Sequence, residues 1–284
     1  MLIFESSKKL KKHLNTLKAN GLTIGFVPTM GALHDGHLSL IKTSKRACKV
    51  TVCSIFVNPT QFNDKKDFEK YPNTIENDKK LLKKVGCDIL FVPSVHEMYP
   101  NGFVNGTQVD FGFLAQTLEG EHRPGHFDGM AQIVYKLLKV VGPHQLFMGL
   151  KDYQQQLIVS ELIRKKRLAT RLVALDTKRE KDGLAMSSRN VRLDKKSRKT
   201  AVEISKTLKW IKNKVARNKT KAVLTLTQQL GLERLNGFKA FEVEYLEIRN
   251  AKTLQAPASG REKLVVLIAA KIGGVRLIDN MLLN

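Results

Sequence analysis

From Leu22 onward, apolar runs of strand length alternate with segments whose apolar residues recur at helical spacing, and this alternation restricts the fold more than any other feature of the chain. Leu22–Pro28 reads as a strand, Leu38–Ala47 as a helix and Val50–Val57 as a strand. The rhythm continues through Thr74–Val85 (helix), Asp88–Val92 (strand), Met130–Val141 (helix), Gln145–Met148 (strand), Asp152–Lys165 (helix) and Arg171–Thr177 (strand). Strands joined through helices return to their sheet in parallel, so the expected first domain is α/β, a doubly wound parallel sheet. Such sheets take ligands beyond the carboxyl ends of their strands, which directs attention to the residues after Val27, Val57 and Met148.

After about residue 176 the pattern changes. A turn containing Asp182 and Gly183 leads into a helix with Ile204, Leu208, Ile211 and Val215 on one face. Strands are expected at Phe241–Ile248, Leu264–Ala270 and Val275–Ile278, giving a smaller α+β domain over 177–284 behind the first domain, 1–176. With 284 residues and 42% apolar content the chain can fill both cores. No apolar run approaches the roughly 18 to 20 residues of a membrane span, and the amino terminus lacks the order of a secretory signal, so a cytoplasmic protein with no membrane partner is expected. Cys48, Cys53 and Cys87 are odd in number and form no C-x-x-C pair, which suits reduced core thiols.

The balance of 49 Lys and Arg against 26 Asp and Glu, a net +23, favours anionic partners, phosphate-bearing metabolites and nucleic acid alike. Much of the excess lies in Asp194–Lys221, which a solvated helix face explains without any specific nucleic-acid partner.

Four clusters carry candidate chemistry. The first strand runs into Met30, Gly31, Ala32, Leu33, His34, Asp35, Gly36 and His37, with a helix expected to open at the second histidine. Glycines, a helix amino terminus and two imidazoles three residues apart form an anion site; two histidines capping a helix, or a metal pair, are the alternatives. After the next strand, Phe56-Val57-Asn58-Pro59-Thr60-Gln61-Phe62 offers neutral amides that orient a hydroxyl or carboxylate, or else a proline turn with solvated polar groups. Phe147-Met148-Gly149-Leu150-Lys151-Asp152-Tyr153-Gln154-Gln155 follows another strand and puts Lys151 where it can meet phosphate, with Asp152 as a possible N-cap. Met186-Ser187-Ser188-Arg189-Asn190, at the domain boundary, gathers hydroxyl and guanidinium donors suited to a leaving pyrophosphate, although such a string is also common on surfaces. Between these, His122-Arg123-Pro124-Gly125-His126-Phe127 fits either a loop near the site or a structural turn before a helix. Asp78 is a weak candidate for approaching a metal.

In this order the clusters resemble the pantothenate synthetases (pantoate–β-alanine ligases) of the nucleotidyltransferase superfamily. The resemblance rests on Pro28–His37, Phe56–Phe62, Arg123–Phe127, Lys151–Gln155 and Gly183–Asn190, with a weaker echo in Arg276-Leu277-Ile278-Asp279-Asn280, and so covers nearly the whole chain. It implies a Rossmann-like domain followed by a smaller lid-like one. The implied reaction is condensation of pantoate with β-alanine through a pantoyl adenylate, driven by cleavage of ATP to AMP and pyrophosphate with Mg2+, in a cytoplasmic homodimer. Carried over residue by residue, the nucleotide contacts are Met30, Gly31, Ala32, Leu33, His34, Asp35, Gly36, His37, Gly149, Leu150, Lys151, Asp152, Lys178, Met186, Ser187, Ser188 and Arg189. His37, His34, Lys151 and Arg189 have the catalytic roles, His37 as the acid; Gln61 and Gln155 bind pantoate, and Gln61 borders β-alanine. No protein side chain is assigned to the metal. The chain departs from the family at Leu150, where Glu is usual, and at Asp176 and Lys178, where Pro and Val are usual. A polar Lys178 beside the adenine pocket bears on ATP affinity.

Two other functions compete. Another nucleotidyltransferase shares the H-x-G-H element but has no use for two neutral amides at a small-acid pocket. A nucleic-acid-binding protein accounts for the charge but not for the motifs, and steep salt dependence of specific binding distinguishes it.

Overall fold

The computed structural model describes residues 1–63, 65–103, 107 and 109–283. The chain divides into two compact units. The first holds Met1–Phe111, Arg123–Leu150 and Gln154–Asp176; the second takes Gly112–His122, Lys151–Tyr153 and the chain from Thr177 onward.

The first unit is built on six parallel strands: β1 (Leu2–Phe4), β2 (Ile24–Thr29), β3 (Val50–Ile55), β4 (Ile89–Phe91), β5 (Gln145–Gly149) and β6 (Arg171–Leu175), in the order β1-β4-β3-β2-β5-β6. Every residue of β3 is buried and all but one of β2, because helices cover both faces; this is why they read as apolar runs rather than as alternation. Val27, Ile41, Cys53, Leu82, Leu90 and Phe147 lie in one core cluster. Gly25 of β2 lets the helix Asp35–Ala47 pack close, since a Cβ there would stand 2.2 Å from Ser44 Oγ. The helices Ile75–Lys84, His126–Val141 and Tyr153–Lys165 match the helical spacing to within a few residues.

Besides short helical turns such as Val95–Met98, two elements at the start of this unit lie outside the sequence expectations. β1 is only three residues long, at a sheet edge. The helix Ser7–Ala19 buries only Leu10 and Leu14, one turn apart, and its lysine-rich remainder hides the period.

In the second unit β7 (Phe241–Asn250), β8 (Leu264–Ile272) and β9 (Val275–Leu282) form an antiparallel sheet in that order. The helix Lys195–Val215 buries Ile204, Leu208, Ile211 and Val215 against Val266, Ile268 and neighbouring residues, while Lys195, Lys196, Lys199, Lys206, Lys209 and Lys214 are exposed. The lysine-rich stretch is therefore the outer face of a helix. A further helix, Lys221–Asn236, was not expected, because its leucines fall on more than one face: Leu224 and Leu235 are buried, Leu226 and Leu230 exposed. Among the described residues no helix is long and apolar enough to cross a membrane. All three cysteines are buried free thiols, and burial pushes Cys87 up to about 11.

Candidate active site

Strand order decides which sequence clusters become neighbours in the first unit. β2 lies between β3 and β5, in register Thr29–Ile55 on one side and Phe26–Leu146 on the other. From β2 the chain steps outward to β3 and β4, then returns to place β5 on the opposite side of β2. That makes β2/β5 the topological switch point, where open α/β sheets leave a crevice. The segments that follow β2, β3 and β5 thus leave from three adjacent strands.

After β2 the backbone takes two successive left-handed residues, Gly31 (φ 82°) and the non-glycine Ala32 (φ 48°). Consecutive N–H groups in such a conformation converge on an anion. Here that anion is the protein's own Asp78, 1% exposed, whose carboxylate accepts from Ala32 N at 2.9 Å, from Leu33 N at 2.8 Å and from the Thr74 hydroxyl. Both oxygens of Asp78 thus hold the loop.

The helix then opens at Asp35, two residues earlier than expected, because His34 caps it. His34 Nδ1 accepts from Gly36 N at 3.2 Å, and His37 Nδ1 accepts from His34 N at 3.4 Å, a reciprocal capping box made of histidines. The rings face each other with centroids 4.1 Å apart. A ring nitrogen that accepts a hydrogen bond bears no proton, so each neutral ring holds its donor on Nε2. The capping role is real and compatible with anion binding: it fixes the tautomer and orientation a phosphate would meet.

The segment after β3 begins with Asn58, 1% exposed and bonded through both side-chain atoms: Oδ1 accepts from Tyr99 Oη (2.8 Å) and Thr60 Oγ1 (3.2 Å), and Nδ2 donates to Gly129 O (3.1 Å). Asn58 therefore builds the loop, and Gln61 is the amide left to address a ligand. Among the described residues neither the half-buried Gln61 side chain nor that of Gln155 makes a hydrogen bond. After β5, a Cβ built on Gly149 would meet nothing within 4 Å, so the strand ends in open space, followed by Leu150.

In the second unit, Lys151 and Asp152 lie in a 3-10 turn with Lys151 Nζ 3.7 Å from the Asp152 carboxylate. The Lys151 carbonyl accepts from Asn280 Nδ2 at 2.8 Å. The chain from Thr177 to Asn190 doubles back on itself through the Arg179–Ala185 bridge, with Met186 N donating to the carbonyl of Lys178, whose side chain is exposed. Arg179 fastens this hairpin to β9 through Asp279 Oδ2 at 2.6 Å and Oδ1 at 2.9 Å. Burial pushes the Asp279 carboxyl up, and the Arg179 guanidinium works against that. At the other end Asn190 Nδ2 donates to Glu180 and to the Ala185 carbonyl, while Arg198 pairs with Glu180 and Asp182. Met186, Ser187, Ser188 and Arg189 are half-buried between these two anchors. Glu119, also of this unit, accepts two bonds from Arg276 and one from Tyr245 Oη, joining Gly112–His122 to the sheet.

Asp78, Asp279 and Asn280 therefore matter in ways the motifs did not suggest. The signal in the sequence is faint: Asp279 and Asn280 are an acid and an amide within an otherwise apolar stretch, and Asp78 is one polar residue among many in its helix; burial turns each into a structural demand.

The comparisons with known proteins agree along the whole length. The family model described as pantoate-beta-alanine ligase matches residues 2–282. A pantothenate synthetase from Cytophaga hutchinsonii is 45% identical over 285 residues, covering 100% of this chain and 99% of that protein. One from Acetivibrio thermocellus is 40% identical, with full coverage of both. Among solved structures, the pantothenate synthetase from Thermus thermophilus superposes with a TM-score of 0.92 at 36% identity, covering 100% of this chain and 99% of that one. A pantoate-beta-alanine ligase from Francisella tularensis, complexed with beta-gamma ATP and beta-alanine, gives 0.81 at 34% identity, covering 100% and 98%. The chain belongs to the pantoate–β-alanine ligase family.

Proposed function

We propose that this protein is an AMP-forming carbon–nitrogen ligase that condenses pantoate with β-alanine to give pantothenate, through a pantoyl adenylate. The observation that carries the reading beyond family membership is the pair of half-buried amides, Gln61 and Gln155, without partners among the described residues. A small hydroxy acid needs neutral donors and acceptors of this kind. The Francisella relative's complex with an ATP species and β-alanine supports the same two substrates here.

In the first step a pantoate carboxylate oxygen attacks the α-phosphorus, the bond to the bridging oxygen breaks, and pyrophosphate leaves. The obstacle is charge, because an anion approaches an anionic centre; the remedy is fixed positive charge and donors held in place before reaction. His34 and His37 present Nε2–H donors, and Lys151 and Arg189 contribute cationic side chains. The loops Met30–His37 and Gly149–Asp152, the Lys178 backbone and Met186–Arg189 make the remaining nucleotide contacts. In the second step the neutral amine of β-alanine, beside Gln61, attacks the acyl carbon, loses a proton, and AMP departs. Among the described residues no group of three or more His, Cys, Asp or Glu is disposed to hold a metal ion. Magnesium enters with ATP as the Mg2+–nucleotide substrate, and no step is assigned to a metal bound by the protein. A homodimer in the cytoplasm completes the reading.

The test is pyrophosphate release from ATP, Mg2+ and pantoate, with and without β-alanine. Release should require pantoate, and pantothenate should form only when the amine is present. His37→Ala should slow adenylate formation about 100-fold or more in single turnover, the scale of a lost acid or donor, with a much smaller change in pantoate affinity. Release indifferent to pantoate, or equal loss of both quantities in the variant, refutes the assignment.

A further inference from the structure

The segment Arg123–His126 has no role in the proposed chemistry, yet three of its groups close on the loop bearing Gln61. His126 is 6% exposed, and its Nδ1 lies 2.9 Å from the Gln61 carbonyl oxygen. Arg123 Nη2 donates to the same oxygen at 3.2 Å, and Arg123 Nη1 lies 3.1 Å from His126 Nε2. A carbonyl only accepts, so His126 holds its proton on Nδ1, and its Nε2 is then the acceptor for Arg123. The result is a closed triangle: both side chains donate to one carbonyl, and the arginine fixes the tautomer the histidine needs.

Around this triangle the loop is fastened at other points. Asn63 Nδ2 donates to Pro124 O, and Asn58 Nδ2 donates to Gly129 O. Gly129 allows the approach, since a Cβ there would lie 2.1 Å from the Thr60 carbonyl oxygen. Gly125, at φ 78°, turns the chain so that Arg123 and His126 flank the start of the helix. Fixing the carbonyl of Gln61 fixes its peptide plane, and with it the direction in which the side chain leaves the backbone.

We infer that Arg123 and His126 are positioning residues for the acid-binding site, setting pantoate affinity through the backbone of Gln61 rather than by touching the substrate. The inference rests on the reading of Gln61 as a pantoate ligand. Initial-rate kinetics on the full-length enzyme, varying pantoate and ATP separately, separates the two. Arg123→Ala and His126→Ala should each raise KM for pantoate by roughly fivefold, the scale of one lost bond to a carbonyl, with KM for ATP unchanged. His126→Asn, whose amide can donate in place of Nδ1–H, should recover most of the loss. In a Gln61→Ala background the same substitutions should add less than about twofold, because residues acting as a unit are non-additive. A parallel rise in both KM values, or an undiminished effect in the Gln61→Ala background, overturns the inference and leaves a general structural role. If Gln61→Ala weakens pantoate but the Arg123 and His126 variants do not, the inference alone falls. If Gln61→Ala leaves KM for pantoate unchanged, the ligand reading of Gln61 falls and takes the inference with it.

Discussion

Replacing Asp78 by alanine should destabilise the first unit strongly, because Asp78 anchors the loop after β2. The carboxylate is 1% exposed and receives the N–H groups of Ala32 and Leu33 at 2.9 and 2.8 Å. Each hydrogen bond to a charged acceptor is worth about 1.5–3 kcal/mol, so the pair accounts for about 3–5 kcal/mol after allowing for some rehydration. Ala32 also keeps a left-handed backbone (φ 48°), which costs a non-glycine residue about 1–2 kcal/mol and is tolerated while Asp78 holds the loop. At roughly 2–4 °C per kcal/mol for a chain of this size, the melting midpoint should fall by about 10 °C. Differential scanning calorimetry is the right assay, because the only tryptophan, Trp210, belongs to the second unit and does not report on this loop. Adding Ala32→Gly to the variant should recover about 1 kcal/mol, since glycine adopts the left-handed conformation without steric cost. A midpoint within about 2 °C of the parent, less than one kcal/mol on that scale, would show that the nest does not depend on its internal anion, and the reasoning about this loop would fail.

Two further outcomes follow from buried groups. Asp279→Asn leaves the Arg179 guanidinium facing a neutral amide, and should cost about 3 kcal/mol and raise KM for ATP at least tenfold by loosening the hairpin that bears Ser187–Arg189; unchanged ATP kinetics would refute the link. At pH 8 a thiol held near 11, as Cys87 is, is ionised to roughly one part in a thousand, so the native protein should not react with Ellman's reagent until urea exposes its three cysteines. Because this folded-state value lies above that of an unfolded thiol, stability should decline as pH rises above about 8.5, toward 11; stability that rises across that window would contradict the sign.

The parallel sheet was legible because β2, β3 and β5 are buried on both faces, and burial writes itself into sequence as unbroken apolar runs. The clusters after β2, β3 and β5 stood out for a related reason: each sits where a strand gives way to a helix or helical turn, and glycine, histidine and amide residues there break the apolar run. The helices Ser7–Ala19 and Lys221–Asn236 were not legible. The first shows only two fully buried leucines; the second spreads leucines around its circumference, so neither has a clean period. The start of the helix after β2 was misplaced because histidine is an unusual N-cap, and nothing local distinguishes a capping imidazole from one waiting for a phosphate. In this loop it does the first.

The faintest motif, Arg276-Leu277-Ile278-Asp279-Asn280, shows why weak sequence signals can belong to the most constrained positions. Side chains of successive strand residues leave on opposite faces, so two adjacent residues can hold two different segments. In β9 Asp279 takes the guanidinium of Arg179 and Asn280 takes the carbonyl of Lys151, while Arg276 takes Glu119. One strand thus fixes the turn that bears Lys151 and the hairpin that bears Ser187–Arg189. Neither Asp279 nor Asn280 is proposed to meet the nucleotide, yet both are nearly buried, at 3% and 6% exposure, and a polar group is retained there only if it is paired. A charge placed for catalysis needs a rigid attachment, because a guanidinium or ammonium on a mobile turn gives up in ordering entropy much of what it gains from a phosphate. On the proposed chemistry, the polar dipeptide in an apolar strand supplies that attachment to the segments that bear Lys151 and Arg189.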